Sequence, residues 1–441
     1  MIPHPPTLIG RDGRRYTLDR ELGSGGEGSV HTLRECPDLV AKLYHPRQRR
    51  DPLRQQKLQR LLDKGVDREL ALRTRIAFPL EILHDARGEF AGYLMPRVEG
   101  IPLKTAFFSR RRLEERFPDL RRRDLASYAG HFVAQLALLH RHGILVGDIN
   151  PLNILVDPQA PTKGWIIDTD SFQVDELPCP VGTDIFTPPG LQGCRFGERL
   201  RSLEDEHFSM TIMIFMILML GKHPYSRIGG ESPAANIRRR AFPYPDLHGK
   251  MTDVPPGIWQ FIWSHFDRGI KEGFYDVFAR DLRYDTRDWL QRLQKYHYNV
   301  SKGYFSDEIA PLSYRALHPV RVTCHRCRRP FELSEKFVIR LKEEGKEPLC
   351  SLCREKIKAS LLAKRSLKSG SSRLRRQRIR AAVGASAARK HAAAQRQPEE
   401  NPYDPQTIVT KAIHTSTPTS NDSGTNQGKS PSLSELLKKF F

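Results

Sequence analysis

Gly147-Asp148-Ile149-Asn150-Pro151-Leu152-Asn153-Ile154-Leu155 is the stretch on which the reading of this chain turns. An aspartate and an asparagine five residues apart share a tight, proline-containing loop. In such a loop both side chains can face one site. The carboxylate can accept a hydroxyl proton while the amide carbonyl binds Mg²⁺. Taken alone, the stretch also fits a polar turn held by Asx hydrogen bonds. Just upstream, residues 123–141 carry the apolar spacing of an amphipathic helix. Downstream, Trp165-Ile-Ile-Asp168-Thr-Asp170-Ser-Phe172 places Asp168 fifteen residues beyond Asn153, at the end of a short predicted strand. A charge ending an apolar strand suits a metal ligand, and a carboxylate oxygen suits Mg²⁺.

Working back toward the N-terminus, Gly23-Ser24-Gly25-Gly26-Glu27-Gly28-Ser29-Val30 is a GxGxxG run followed by valine. Glycines let backbone N–H groups approach phosphate oxygens without a Cβ in the way. The run joins one predicted strand (residues 16–22) to another (residues 30–33) instead of opening a helix. That argues against a dinucleotide-binding crossover. Lys42 ends Val40-Ala41-Lys42 in a third predicted strand, fourteen residues after Gly28. From there it can reach phosphates gripped by the loop. Residues 51–63 have helical apolar spacing and an Asp-Pro start, and residues 78–83 and 90–95 read as a hairpin.

These elements are carried by a 441-residue chain with 39% hydrophobic and 9% aromatic residues, enough for a sizeable core. The longest apolar run, residues 208–220, is shorter than a membrane span and reads as a buried helix. The N-terminal residues lack the apolar segment of a secretory signal, and clustered cysteines suit a reducing compartment, so a cytoplasmic protein is expected. Cys324-His-Arg-Cys327 and Cys350-Ser-Leu-Cys353 are two CxxC pairs separated by 22 residues, the pattern of a structural Zn²⁺ site. Cys36, Cys179 and Cys194 have no such spacing and read as ordinary thiols, and His325 as solvated. The net charge is +21, yet residues 354–396 contain 14 Lys or Arg against one acidic residue. That tail suits an anionic partner, whether nucleic acid, an acidic protein or a membrane surface, and Arg110–Arg112 with Arg121–Arg123 form a second basic patch.

The ordered motifs resemble the protein-kinase superfamily, and more closely a bacterial branch of atypical serine/threonine kinases. The resemblance implies an α+β, two-lobed fold; the CxxC pairs resemble a zinc ribbon, and the composition after residue 358 predicts a disordered tail. The expected divisions are an N-lobe at 1–98, a C-lobe at 99–300, a linker at 301–323, the ribbon at 324–357 and the tail at 358–441. It implies ATP bound by Gly23, Ser24, Gly25, Gly26, Gly28, Val30 and Lys42, with Met95 and Val98 at the adenine hinge. Mg²⁺ falls to Asn153 and Asp168, and Asp148 is the catalytic base. The substrate expected is a protein Ser or Thr hydroxyl, met by a loop at Gly182–Pro189. The alternatives are a nucleotide-binding pseudokinase and a nucleic-acid-associated adaptor acting through ribbon and tail.

Several supporting positions depart from the family pattern. Val146-Gly147 stands where His-Arg precedes the catalytic aspartate, and Asp168-Thr169-Asp170 replaces Asp-Phe-Gly. Gln55 or Gln56 occupies the expected place of a glutamate partner for Lys42. Gly190 replaces a glutamate whose partner would be Arg283, and either Asp205 or Glu206 can brace the catalytic loop. The phosphate and metal residues remain, so an active enzyme is expected.

Overall fold

The computed structural model describes residues 7–246, 250–315, 319–350, 352–354, 356–357, 360 and 433–437. The proposed basic tail lies almost wholly outside them. Two compact units emerge. The first contains residues up to Ser301 together with Phe305–Arg315, and the second contains Lys302–Tyr304 and the two CxxC pairs.

In the first unit the N-terminal part is a closed barrel of six strands in the order β1-β2-β3-β4-β6-β5. They run Thr7–Gly10 (β1), Arg15–Ser24 (β2), Gly28–Leu33 (β3), Leu39–Tyr44 (β4), Glu81–His84 (β5) and Phe90–Pro96 (β6). β1, missed in the sequence reading, closes the barrel by pairing with both β2 and β5. Strand alternation sorts β4. Leu39, Ala41 and Leu43 fill the barrel interior, while Tyr44 joins Tyr93 and Leu58 in a second cluster. Lys42 shares the Tyr44 face, so a cation is placed beside two tyrosines. The helix Pro52–Asp63 lies against that face, its N-terminus capped by Asp51 and its Leu58 and Leu61 fully buried.

The C-terminal part of this unit is mostly helical. Arg122–Arg141 and Leu203–Leu218 run through its core, and Thr286–Ser301 packs on the former. The buried helix anticipated from residues 208–220 begins earlier, because Ser202 and Asp205 form a capping box at its start. Short strands Ile154–Val156 and Gly164–Ile166 pair, and residues 147–153 lie between them and the helix Arg122–Arg141. The predicted strand at 165–168 stops at Ile166, and Asp168 instead adopts a left-handed backbone conformation, φ 61°. No helix of the described residues is long and apolar enough to cross a membrane.

The linker expected at 301–323 is not one segment. Arg122, fully buried, donates to the carbonyls of Leu218 (2.6 Å) and Ile309. A buried guanidinium requires such acceptors, and the backbone around Ile309 supplies one of them. Pro319–Thr323 is a strand paired antiparallel with Pro330–Ser334 in the second unit. There, Phe331 with Cys324, Cys350 and Cys353 forms a small core, and Cys327 is exposed. The basic patch at Arg110–Arg112 is partly neutralised, since Arg110 pairs with Glu114 and Arg111 with Glu115.

Two core histidines make stability pH-dependent. Burial pushes His131 down to about 3 and His223 down to about 4, from 6.5. Both stay neutral when folded and take up protons on unfolding. Their contribution is complete above pH 6.5 and is lost as pH falls, at about 1.4 kcal/mol per pH unit for each. Urea unfolding at pH 7.5 and pH 5.5 is expected to show a lower midpoint at the acid value, and His131→Leu should reduce the difference. Equal midpoints would contradict the assignment.

Candidate functional site

Lys42 is buried, and its ammonium donates to three carboxylate oxygens. Asp168 Oδ1 lies at 2.8 Å, and Asp170 Oδ1 and Oδ2 at 2.7 and 2.9 Å. Asp170 also accepts the hydroxyls of Tyr44 at 2.5 Å and Tyr93 at 2.7 Å. Burial opposes the Lys42 charge, but the two carboxylates outweigh it and hold the pKa above the ordinary lysine value. Burial likewise opposes the Asp170 charge. Lys42 and the two tyrosine hydroxyls overcome it, and Asp170 stays below its ordinary value. Asp168 moves the other way, raised by burial and by the nearby Asp170 charge in spite of Lys42.

This arrangement corrects the expected partner of Lys42. Gln55 and Gln56 are exposed on the helix Pro52–Asp63, and Asp63 accepts from Gln59. The helix instead turns cations toward the site. Arg54 donates twice to Glu27, at 2.6 and 3.2 Å, and lies over the Tyr44 ring at 5.0 Å. The signal for Asp170 was in the sequence, as the second aspartate of Asp168-Thr169-Asp170, but only the fold brings it to a strand 128 residues away.

The glycine-rich loop is the β2–β3 turn, closed by Gly25 N–H donating to the Gly28 carbonyl at 2.9 Å. Gly28 has no room for a side chain, because a Cβ there would lie 2.0 Å from the Leu43 carbonyl oxygen. Gly23, Gly25 and Gly26 face open space. Ser24 ends β2, and Val30 lies opposite Lys42 in the β3–β4 register. Met95 is near the end of β6, packed against the Tyr44–Tyr93 cluster, and Val98 follows half-buried.

The loop that starts at Val146 is braced by Glu206, not by Asp205. Glu206 is buried and accepts the Val146 N–H at 3.0 Å and the Gly147 N–H at 2.7 Å, while His140 Nε2 lies 2.9 Å from it. Asp205 is used in the helix cap. Gly147 has φ 75°, and a Cβ there would meet the Cys179 Cβ at 2.4 Å, so no arginine fits at this position. Asp148 accepts the Asn150 amide at 2.6 Å on one oxygen and the Thr183 hydroxyl at 3.2 Å on the other. The Asn153 carbonyl accepts the Ile167 N–H at 2.9 Å, tying this loop to the Asp168 turn. Arg283 does not reach toward Gly190. It pairs with Asp281 at the surface.

In the second unit the four sulfurs of Cys324, Cys327, Cys350 and Cys353 lie within 4.8 Å of one another. Cys327 Sγ and Cys350 Sγ are 3.7 Å apart, too far for a disulfide. Four thiolates around one Zn²⁺ at about 2.3 Å would have sulfurs about 3.8 Å apart. Burial opposes the Cys324 thiolate, but N–H groups of Cys327, Cys350 and Arg326 bring it down to about 6. His325 lies on the surface near Glu347, outside the group.

No protein-family model matches the chain. It is similar to protein kinase YegI of Escherichia coli O157:H7, 33% identical over 237 residues, which cover 52% of this chain and 36% of that one. Protein kinase YegI of Escherichia coli (strain K12) is 34% identical over 230 residues, 51% of this chain and 34% of the other. The match thus spans about a third of the curated relatives' length. Among solved structures, the ROP18 kinase domain in complex with AMP-PNP and sucrose superposes with a TM-score of 0.46 at 17% identity, covering 68% of this chain and 85% of that chain.

The Asp170 network is expected to dominate local stability. Asp170→Ala takes two of the three carboxylate contacts from the buried Lys42 ammonium and the acceptor from two buried hydroxyls, a loss of about 3–5 kcal/mol. Tyr93→Phe removes one hydrogen bond to a buried carboxylate, about 1.5–3 kcal/mol. Denaturant unfolding of the two variants checks the order, and an Asp170→Ala variant as stable as wild type would overturn it.

Proposed function

We propose that this chain, a member of the protein-kinase superfamily, transfers the γ-phosphate of ATP to serine and threonine hydroxyls of protein substrates. The observation that carries the hydroxyl specificity is the Thr183 contact. An aliphatic hydroxyl already rests 3.2 Å from Asp148, on an oxygen the loop leaves accessible. A substrate hydroxyl taking that place gives its proton to Asp148. Its oxygen forms the new bond to phosphorus as the bond to the β-phosphate oxygen breaks and ADP leaves.

The remaining residues position and neutralise. The open backbone at Gly23, Gly25 and Gly26, with Ser24, covers the phosphates, and Gly28 and Val30 set the turn and the strand that follows. Lys42, held in a fixed place by Asp170, meets the α/β-phosphates. Met95 and Val98 frame the adenine. Asp168 and the Asn153 amide carbonyl make an all-oxygen donor pair of the kind Mg²⁺ takes, and the ion when bound supplies charge neutralisation of the phosphates. Asp148 is the base, and Asn150 fixes its carboxylate through the 2.6 Å bond.

Transfer from γ-labelled ATP with Mg²⁺, to the chain itself and to casein, tests this. Wild type is expected to label serine and threonine. Asp148→Ala should lower transfer by about 10³-fold or more while nucleotide affinity stays within about twofold. Wild type that binds ATP yet labels no more than Asp148→Ala would favour the pseudokinase reading.

The cysteine group is read as a closed structural site for one Zn²⁺, with Cys324, Cys327, Cys350 and Cys353 as ligands. Metal analysis is expected to find one zinc per chain, and Cys350→Ser should release it and expose the second unit to protease. A protease-resistant, metal-free unit would contradict this.

A further inference from the structure

Two buried cations outside the cleft have backbone carbonyls as their partners. Lys57, on the helix Pro52–Asp63, is 7% exposed, and its ammonium donates to the Pro178 carbonyl at 2.6 Å and the Ser171 carbonyl at 3.4 Å. Arg201 is also 7% exposed. Its guanidinium donates to the Cys179 carbonyl at 2.9 Å and the Val181 carbonyl at 2.6 Å, and lies over the Phe196 ring at 4.6 Å. Gln173 locks Arg201 in place, exchanging two 2.8 Å bonds with its backbone. Residues 171–181, which lead from the Asp168 turn to Thr183, are therefore held from one side by the helix and from the other by Arg201.

A segment of this kind can be ordered by adding a phosphoryl group that gathers scattered cations. Here the cations are already gathered, buried, and bonded to carbonyl dipoles. No arginine fits at Gly147 to add a further cation, because Cys179 and Arg201 fill that space.

We infer that Lys57 and Arg201 are positioning residues that keep 171–181 ordered in the unphosphorylated chain, so the site assembles without phosphorylation of that segment. The ordering is a property of the fold. Its consequence for catalysis rests on the kinase reading, and the two are measured separately.

The 441-residue chain is treated with phosphatase, freed of it, and followed by backbone amide exchange and by transfer to casein. Exchange in 172–181 is expected to be slow in the phosphate-free chain and at least about tenfold faster in Lys57→Gln and in Arg201→Gln. Arg201→Lys, which keeps the charge, should recover part of the protection, and Lys57→Gln decides the matter if Arg201→Gln fails to fold. Transfer should start without a lag, and Lys57→Gln should lower kcat about tenfold with KM for ATP nearly unchanged. Fast exchange in the phosphate-free wild type, or a lag that preincubation with Mg²⁺ and ATP removes while phosphate appears on Ser171, Thr183 or Thr187, would overturn the inference. Slow exchange lost in Lys57→Gln, with no transfer by any form, would confirm the ordering and remove the kinase reading instead.

Discussion

The ion pair between Lys42 and Asp170 is the constraint from which the rest of the site follows. A lysine ammonium under a strand of the small lobe is costly to bury without a carboxylate. Asp170 supplies one with both oxygens and is itself satisfied by Tyr44 and Tyr93. All four groups sit where strand alternation and the Asp168 turn place them. The left-handed backbone at Asp168 lets one short turn present two carboxylates to the same ammonium.

The helix Pro52–Asp63 has the opposite electrostatic role from the one its position suggested. With Arg54 and Lys57 facing inward, it cannot hold Lys42 and would repel it if Asp170 were absent. Arg54 instead ties down the tip of the glycine-rich turn through Glu27, and Lys57 ties down residues 171–178. The glycine-rich turn, Lys42 and residues 171–178 are thus connected through one helix and one turn.

Much of this was legible in the sequence because the motifs are short and local. A glycine run between two strands, an Asp-to-Asn loop, and two CxxC pairs each place their chemistry within a few residues. The remainder depended on contacts between distant segments. Asp170 was visible as a residue, but its partner is a strand 128 residues away. Choosing Glu206 over Asp205 required seeing that Ser202 uses Asp205 as its cap. Arg283 kept the expected identity but turned to Asp281. The supposed linker hid a strand and a segment that answers Arg122, because neither a lone strand nor a buried arginine's acceptors leave a periodic pattern.

A double-mutant cycle on Lys42→Met and Asp170→Asn, read as unfolding free energy, tests the central claim most directly. A dedicated, buried ion pair predicts strongly non-additive losses, with a coupling of about 2 kcal/mol or more. Losses that add to within about 0.5 kcal/mol would mean that Asp170 is not the partner that holds Lys42.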